Sequence, residues 1–279
     1  MGHDHHRAVV LAVTSGKGGV GKTCIALNLS IALSQLGSHV LLIDADVGLA
    51  NVDILLGLTP RGTLDQVIVR ERTIFDVICE GPDGLSVIPS SSGVGVPDRW
   101  SMGDITALEQ EIQHLEQGFD YIIIDTGAGI SPKVTDFVLA ADDALIVVTP
   151  EPTSIVDAYS MIKIIVLARE TPREIPIITN MVKSGHEAET LTRKLDRIVH
   201  RFLDQHITLT GYLPTDSTVG QAVHNQMPFV IGAPKSDAAQ GIRRIARRLL
   251  NSYSRLGLPD ATRSPIREAL SRSKDRSYA

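Results

Sequence analysis

The chain has 279 residues, 43% of them apolar, with 27 Lys and Arg against 32 Asp and Glu and a net charge of -5. That is enough for one large buried core, and the charge gives no general attraction to nucleic acid. Two cysteines, Cys24 and Cys79, form neither a disulfide framework nor a metal-ligand cluster, and no stretch approaches 18 uninterrupted apolar residues, so a reducing cytoplasm fits and no membrane span is expected.

Met1 to Arg7 carries three histidines and no apolar h-region, which reads as a disordered, solvated start rather than a signal for export. The apolar, β-branched run Ala8 to Val13 predicts a strand. Gly16-Lys17-Gly18-Gly19-Val20-Gly21-Lys22-Thr23 follows, and then Ile25, Leu29, Ala32, Leu33 and Leu36 recur with helical spacing. Strand, Gly-rich octet and helix satisfy G-x-x-x-x-G-K-[ST]. Its glycines let successive backbone N–H groups close around phosphate oxygens, and the helix N-terminus adds partial positive charge. Lys22 is expected on the outer phosphates and the Thr23 hydroxyl on Mg²⁺; the octet with Cys24 beside it is the candidate phosphate-binding set.

Gly37 predicts the helix stop, and His39 to Ile43 a buried strand ending in Asp44-Ala45-Asp46. Further apolar runs at Leu85–Ile88, Tyr121–Ile124, Ala144–Val148, Ile175–Thr179 and Ile207–Leu213 predict strands. Between them lie helix-length segments at Asp104–Gln117, Pro132–Ala141, Ile155–Arg169, Glu187–Asp204 and Ser236–Leu250. Ser131-Pro132 reads as an N-cap followed by proline at the first helical position. Alternating strands and helices imply βαβ units, hence α/β class: a single doubly wound, mostly parallel sheet flanked by helices. Residues 8–256 read as one phosphate-loop domain, Ser90 to Gly103 as its longest loop, and residues 257–279 as a polar, flexible tail.

In such sheets ligands sit beyond the C-terminal strand ends, so acids there matter most. Asp44 and Asp46 form one such pair, suited to placing one acid near Mg²⁺ and turning the other towards an attacking water; Asp44 and Asp53 also admit a helix-capping reading. The other is Asp125, preceded by Tyr121-Ile-Ile-Ile, the Walker B arrangement for holding Mg²⁺. Asn180 after one strand, and Leu213, Pro214 and Asp216 after another, could present an amide and a proline turn to a base, although Asn180 also suits a turn.

Lys17 is a second lysine that the general phosphate-loop pattern does not require. With it, the octet resembles the deviant Walker A loop of the MinD/ParA family of ATPases. Asp44-Ala-Asp46-x-Gly48-Leu-Ala-Asn51-x-Asp53, Ile124-Asp125-Thr-Gly-Ala-Gly-Ile-Ser131 and Thr149-Pro-Glu151-Pro-Thr-Ser154 resemble its flagellar-number branch, the FlhG (FleN, YlxH) proteins. The resemblance runs from about Val10 to Leu250. It implies ATP and Mg²⁺ as cofactors, weak hydrolysis to ADP and phosphate, and an ATP-dependent homodimer acting on partners of flagellar assembly or transcription. Carried over by position, Lys17 crosses the dimer, Asp46 orients the hydrolytic water, and Asp44 and Asp125 lie near the metal. Glu151 sits at the dimer face, and Asn180 with Leu213, Pro214 and Asp216 reads adenine.

Two family features are weak here. The motif by which many flagellar members activate an FlhF-like GTPase is absent from the seven residues before the first strand. The membrane-targeting helix has only a faint counterpart at Ser264 to Leu270. The helix at Ser236–Leu250 has Ile242, Ile245, Ala246, Leu249, Leu250 and Tyr253 on one face and Arg243, Arg244, Arg247 and Arg248 on the other, which suits docking on the sheet or weak peripheral contact with anionic lipid at the inner membrane face. A MinD-type division regulator and a ParA-type DNA-segregation ATPase are the alternatives. Nucleic acid is the less expected partner, since the Arg193, Lys194, Arg197 and Arg201 stripe reads as a solvated helix face.

Overall fold

The computed structural model describes residues 7–46, 51–91, 110–169 and 173–255. In chain order its elements are β1 (Val9–Ser15), α1 (Lys22–Gln35), β2 (Val40–Ala45), α2 (Val52–Leu56), α3 (Leu64–Ile68), β3 (Cys79–Glu80), β4 (Ser86–Ile88), α4 (110–115), β5 (Tyr121–Ala128), α5 (Pro132–Ala140), β6 (Asp143–Val148), α6 (Pro152–Ala168), β7 (Ile175–Val182), α7 (Gly185–Leu203), β8 (Ile207–Pro214), α8 (Ser217–His224), α9 (Phe229–Gly232) and α10 (Asp237–Arg255). The strands form one sheet in the order β3-β4-β2-β5-β1-β6-β7-β8, parallel throughout except for β3, which runs antiparallel to β4 at one edge.

The strands read as unbroken apolar runs because both sheet faces are covered. Along β1, Val10 and Ala12 pack into one core layer with residues of α3, α4, α5, α6 and α7, while Val9, Leu11 and Val13 pack into the other with α1, α9 and α10. Helix α1 is buried on almost every side: Ile25, Ala26, Leu27, Leu29, Ile31, Ala32 and Leu33 are all inaccessible. The cause is its position between the sheet and α10. Its stop falls where expected, with Gly37 at φ 95°.

Several boundaries differ from the sequence expectation. Helix α6 starts at Pro152 rather than Ile155, because Glu151 occupies the N-cap position and the proline takes the first turn. Helix α7 starts at Gly185 because the Ser184 hydroxyl accepts the Glu187 N–H. Arg7, placed by sequence in the solvated start, is fixed: its Nε donates to Glu116 at 2.5 Å and its Nη2 to Asp142 at 3.0 Å. Met1 to His6, most of the Ser90–Gly103 loop, the first part of the Asp104–Gln117 helix and the tail from residue 256 lie outside the described residues.

Helix α10 docks on the sheet. Ile242, Ile245, Ala246 and Leu249 are buried, so its apolar face is already used, while Arg244, Arg247 and Arg248 are exposed. The Arg243 guanidinium donates to the Pro234 carbonyl at 2.5 Å and the Val230 carbonyl at 2.9 Å. At the far end of the helix, the buried Tyr253 hydroxyl donates to Asp143 at 3.1 Å, and its ring meets Tyr121 edge-on with centroids 6.4 Å apart. Asp143 also pairs with Arg169 and Arg173, each at 3.3 Å. Tyr253→Phe removes only the bond to this carboxylate and is expected to cost about 1–2 kcal/mol of unfolding free energy in a denaturant titration.

Candidate functional site

The order of the strands places β1 between β5 and β6, so that the ends of β1, β2 and β5 converge where the chain reverses its direction across the sheet. The Gly-rich octet leaves β1 there, after a register shift between Val13 and Ser15. Two of its glycines are required by their surroundings. A Cβ at Gly16 would lie 2.2 Å from the Asp157 carbonyl oxygen, so the loop rests directly on the first turns of α6. Gly21 has φ 90°, and a Cβ there would meet Asn180 Nδ2 at 2.5 Å.

Behind the loop lies a cavity of about 730 Å³, lined by Gly18, Gly19, Gly21, Lys22, Thr23 and Cys24 on one side and by Asn180, Met181, Leu213 and Pro214 on the other. Asp46 and Ala128 complete the phosphate end. The volume suits a nucleotide-sized ligand. Asn51 and Leu55 around α2, Val219 of α8, Phe229 of α9 and Ala238 of α10 also line it. Asn51 belongs to the Asp44–Asp53 motif without having been singled out for the site, and no motif marked the other four, which are ordinary helix residues brought in by packing.

Lys22 is only 7% exposed, and burial lowers its pKa against the opposing pull of the Asp125 and Asp46 carboxylates. Asp125 is completely buried beside Asp44, its register partner on the neighbouring strand. Burial and the Asp44 charge raise its pKa well above the carboxylate range, opposed by the Thr23 hydroxyl and Lys22. Neither Asp125 oxygen makes a hydrogen bond of good geometry to a protein group. Such a carboxylate, next to a threonine hydroxyl at the phosphate end of a cavity, fits a Mg²⁺ site, because Mg²⁺ takes few protein ligands and completes its shell with water and phosphate.

Asp44 is differently engaged. Its two oxygens accept the backbone N–H groups of Asp46, Asn51 and Val52, each at 3.1 Å. It therefore caps α2 from the preceding strand and holds the backbone of Asp46. Burial pushes its pKa up to about 6 in spite of those three bonds. The capping reading of Asp53 does not hold: Asn51 is the N-cap residue of α2, and among the described residues Asp53 accepts the N–H of Ile54. Asp46 lies against Gly127, with burial raising its pKa and Lys22 opposing that rise. Burial likewise raises the Cys24 thiol.

Lys17 does not line the cavity. Its ammonium reaches Glu151, with which it forms an ion pair, and the Thr153 hydroxyl at 3.0 Å. Asp216 does not line it either. Its carboxylate takes the Thr218 N–H at 2.9 Å, the Thr218 hydroxyl at 2.7 Å and the Ala238 N–H at 3.1 Å. It thereby caps α8 and ties it to the start of α10. Of the residues singled out in sequence, the octet's inner members, Cys24, Asp46, Asn180, Leu213 and Pro214 share one cavity; Lys17, Glu151 and Asp216 stand outside it, and Asp44 and Asp125 are buried behind its wall rather than lining it.

Sheet, loop and buried lysine define a phosphate-loop nucleotide-binding protein. A family model described as an AAA domain matches residues 8–177. The chain is 40% identical over 244 residues to the antiactivator FleN of Pseudomonas aeruginosa, covering 88% of this chain and 87% of that one. It is 33% identical over 246 residues to the flagellum site-determining protein YlxH of Helicobacter pylori, covering 86% and 81%. Among solved structures, the MinC:MinD cell division complex of Aquifex aeolicus matches with TM-score 0.72 and 30% identity over 88% of this chain and 96% of that one. This chain belongs to the MinD/ParA family of P-loop ATPases, close to FlhG.

Proposed function

We propose that the chain is an ATP-driven switch that binds Mg-ATP in the cavity behind the phosphate loop, dimerises face to face, and regulates the number or placement of flagella. The observation that carries the nucleotide part is the buried Lys22 ammonium facing Asp125 and Asp46 at one end of a cavity whose other end is Asn180 and Pro214. The flagellar part rests on the two relatives named for flagellar site determination and antiactivation.

In this reading the octet's backbone N–H groups and Lys22 hold the phosphates. Thr23 and Asp125 hold Mg²⁺, which when bound offsets charge on the β- and γ-phosphates. Asp46 orients the attacking water, and Asp44, through its bond to the Asp46 N–H, fixes the backbone from which that acid projects. Lys17 exchanges Glu151 and Thr153 for the partner's nucleotide. Leu213, Pro214 and Met181 pack around the base. Hydrolysis is slow in the monomer because Lys17 is held outside the cavity, and partners of flagellar assembly or transcription act on the dimer. Among the described residues no helix is long and apolar enough to cross a membrane; any membrane contact is peripheral and transient.

Deleting the gene in its host and counting flagella by electron microscopy tests the reading. An altered number or position, restored by the wild-type chain and not by Lys22→Ala, is the expected result; unchanged flagella with misplaced septa would favour the MinD-type alternative.

A further inference from the structure

We infer that Asn180 is a positioning residue for the phosphate loop, holding it in its binding shape before any nucleotide arrives. This rests on the reading that the cavity takes ATP, and it assigns Asn180 a task besides contact with the base.

The carboxamide lies between β7 and the octet. Its Nδ2 donates to the Val20 carbonyl at 2.8 Å, a bond spanning 160 residues of sequence, and its Oδ1 accepts the Met181 N–H at 2.9 Å. Val20 offers only an acceptor and Met181 only a donor, so the orientation of the amide is fixed by chemistry. Val20 is itself buried and anchored in the core layer under α1. The carbonyl that Asn180 holds immediately precedes the Gly21 N–H, in the part of the loop that must curl around phosphate oxygens.

One backbone feature is fitted to this contact. Gly21 has φ 90° and stands 2.5 Å, measured to where its Cβ would be, from Asn180 Nδ2, so only glycine admits the amide there. A residue that served only to touch the base would not need the glycine opposite it.

The two bonds leave one Nδ2 hydrogen and one Oδ1 lone pair unused. That remaining donor and acceptor match the adenine edge, so one amide can join base and phosphate ends of the site. Removing it should therefore weaken ligands that have no base at all.

The test compares Mg-ATP with Mg-tripolyphosphate, which carries the phosphates alone, by calorimetry on wild type, Asn180→Ala and Asn180→Leu, the last filling the space without hydrogen bonds. Both variants are expected to lose about tenfold in affinity for tripolyphosphate, with at least as large a loss for ATP. Unchanged tripolyphosphate binding alongside weakened ATP binding would overturn the inference and leave Asn180 a reader of the base. If wild type binds neither ligand, it is the nucleotide reading that fails. A measurement on the unsubstituted protein is independent of variant folding: in ligand-free wild type one of the two Asn180 carboxamide protons should exchange slowly with solvent by NMR. Equally fast exchange of both would also overturn the inference.

Discussion

Asp46→Asn is expected to bind Mg-ATP and accumulate as a dimer while its turnover falls about 10²- to 10³-fold, the range lost when a group that orients or deprotonates a nucleophile is removed. The geometry separates the two effects. Asp46 lines the phosphate end of the cavity but carries no part of the loop that grips phosphate; it is placed by Asp44, whose carboxylate holds its N–H at 3.1 Å. Asparagine keeps its shape and loses only the charge, so binding should survive. Size-exclusion chromatography with light scattering reads the dimer, and phosphate release reads turnover. A variant that hydrolyses ATP at the wild-type rate would exclude Asp46 from the chemistry, and Asp125 would be the acid to examine next.

The complementary result is expected from Lys17→Ala: ATP binding close to wild type, no dimer at micromolar protein, and turnover at the monomer's basal level. Lys17 lies outside the cavity, on Glu151 and Thr153, so the monomer's own ligand loses no contact with it. An ammonium buried at an interface against phosphate and then removed typically costs two or more kcal/mol, enough to weaken association at least about 30-fold. Lys22→Ala provides the contrast, because that ammonium sits in the cavity and its loss should abolish binding itself. A Lys17→Ala protein that still dimerises in ATP would show that the lysine is a surface residue paired with an acid.

The phosphate loop was legible in sequence because its physics leaves marks at fixed spacing: glycines where backbone must face a ligand, a lysine and a hydroxyl after them, a strand before and a helix behind. The buried strands were legible because both sheet faces are covered, which turns β1, β2 and β6 into plain apolar runs. What escaped had no spacing to announce it. The choice between the two readings of Asp44, metal acid or helix cap, is one such case: its oxygens accept the amides two, seven and eight residues ahead, which is the cap. Asp216 reads as part of a base-recognition turn and is a helix cap. The Lys17–Glu151 pair joins residues 134 apart. The short helices α2, α8 and α9 lack the length for periodicity to show, although they supply Leu55, Val219 and Phe229 to the cavity wall.

Helix α10 touches both poles of the molecule. Ala238 in its first turn forms part of the cavity wall, and Tyr253 near its last turn is bound to Asp143, at the opposite end of the strands. Uninterrupted helix, about 22 Å of stiff rod at 1.5 Å per residue, connects them. A ligand that pushes on the first turn must therefore either compress that rod or shift the tyrosine against its aspartate. Strain introduced at the nucleotide thus has a direct mechanical outlet on the far side of the sheet, with no hinge in between to absorb it.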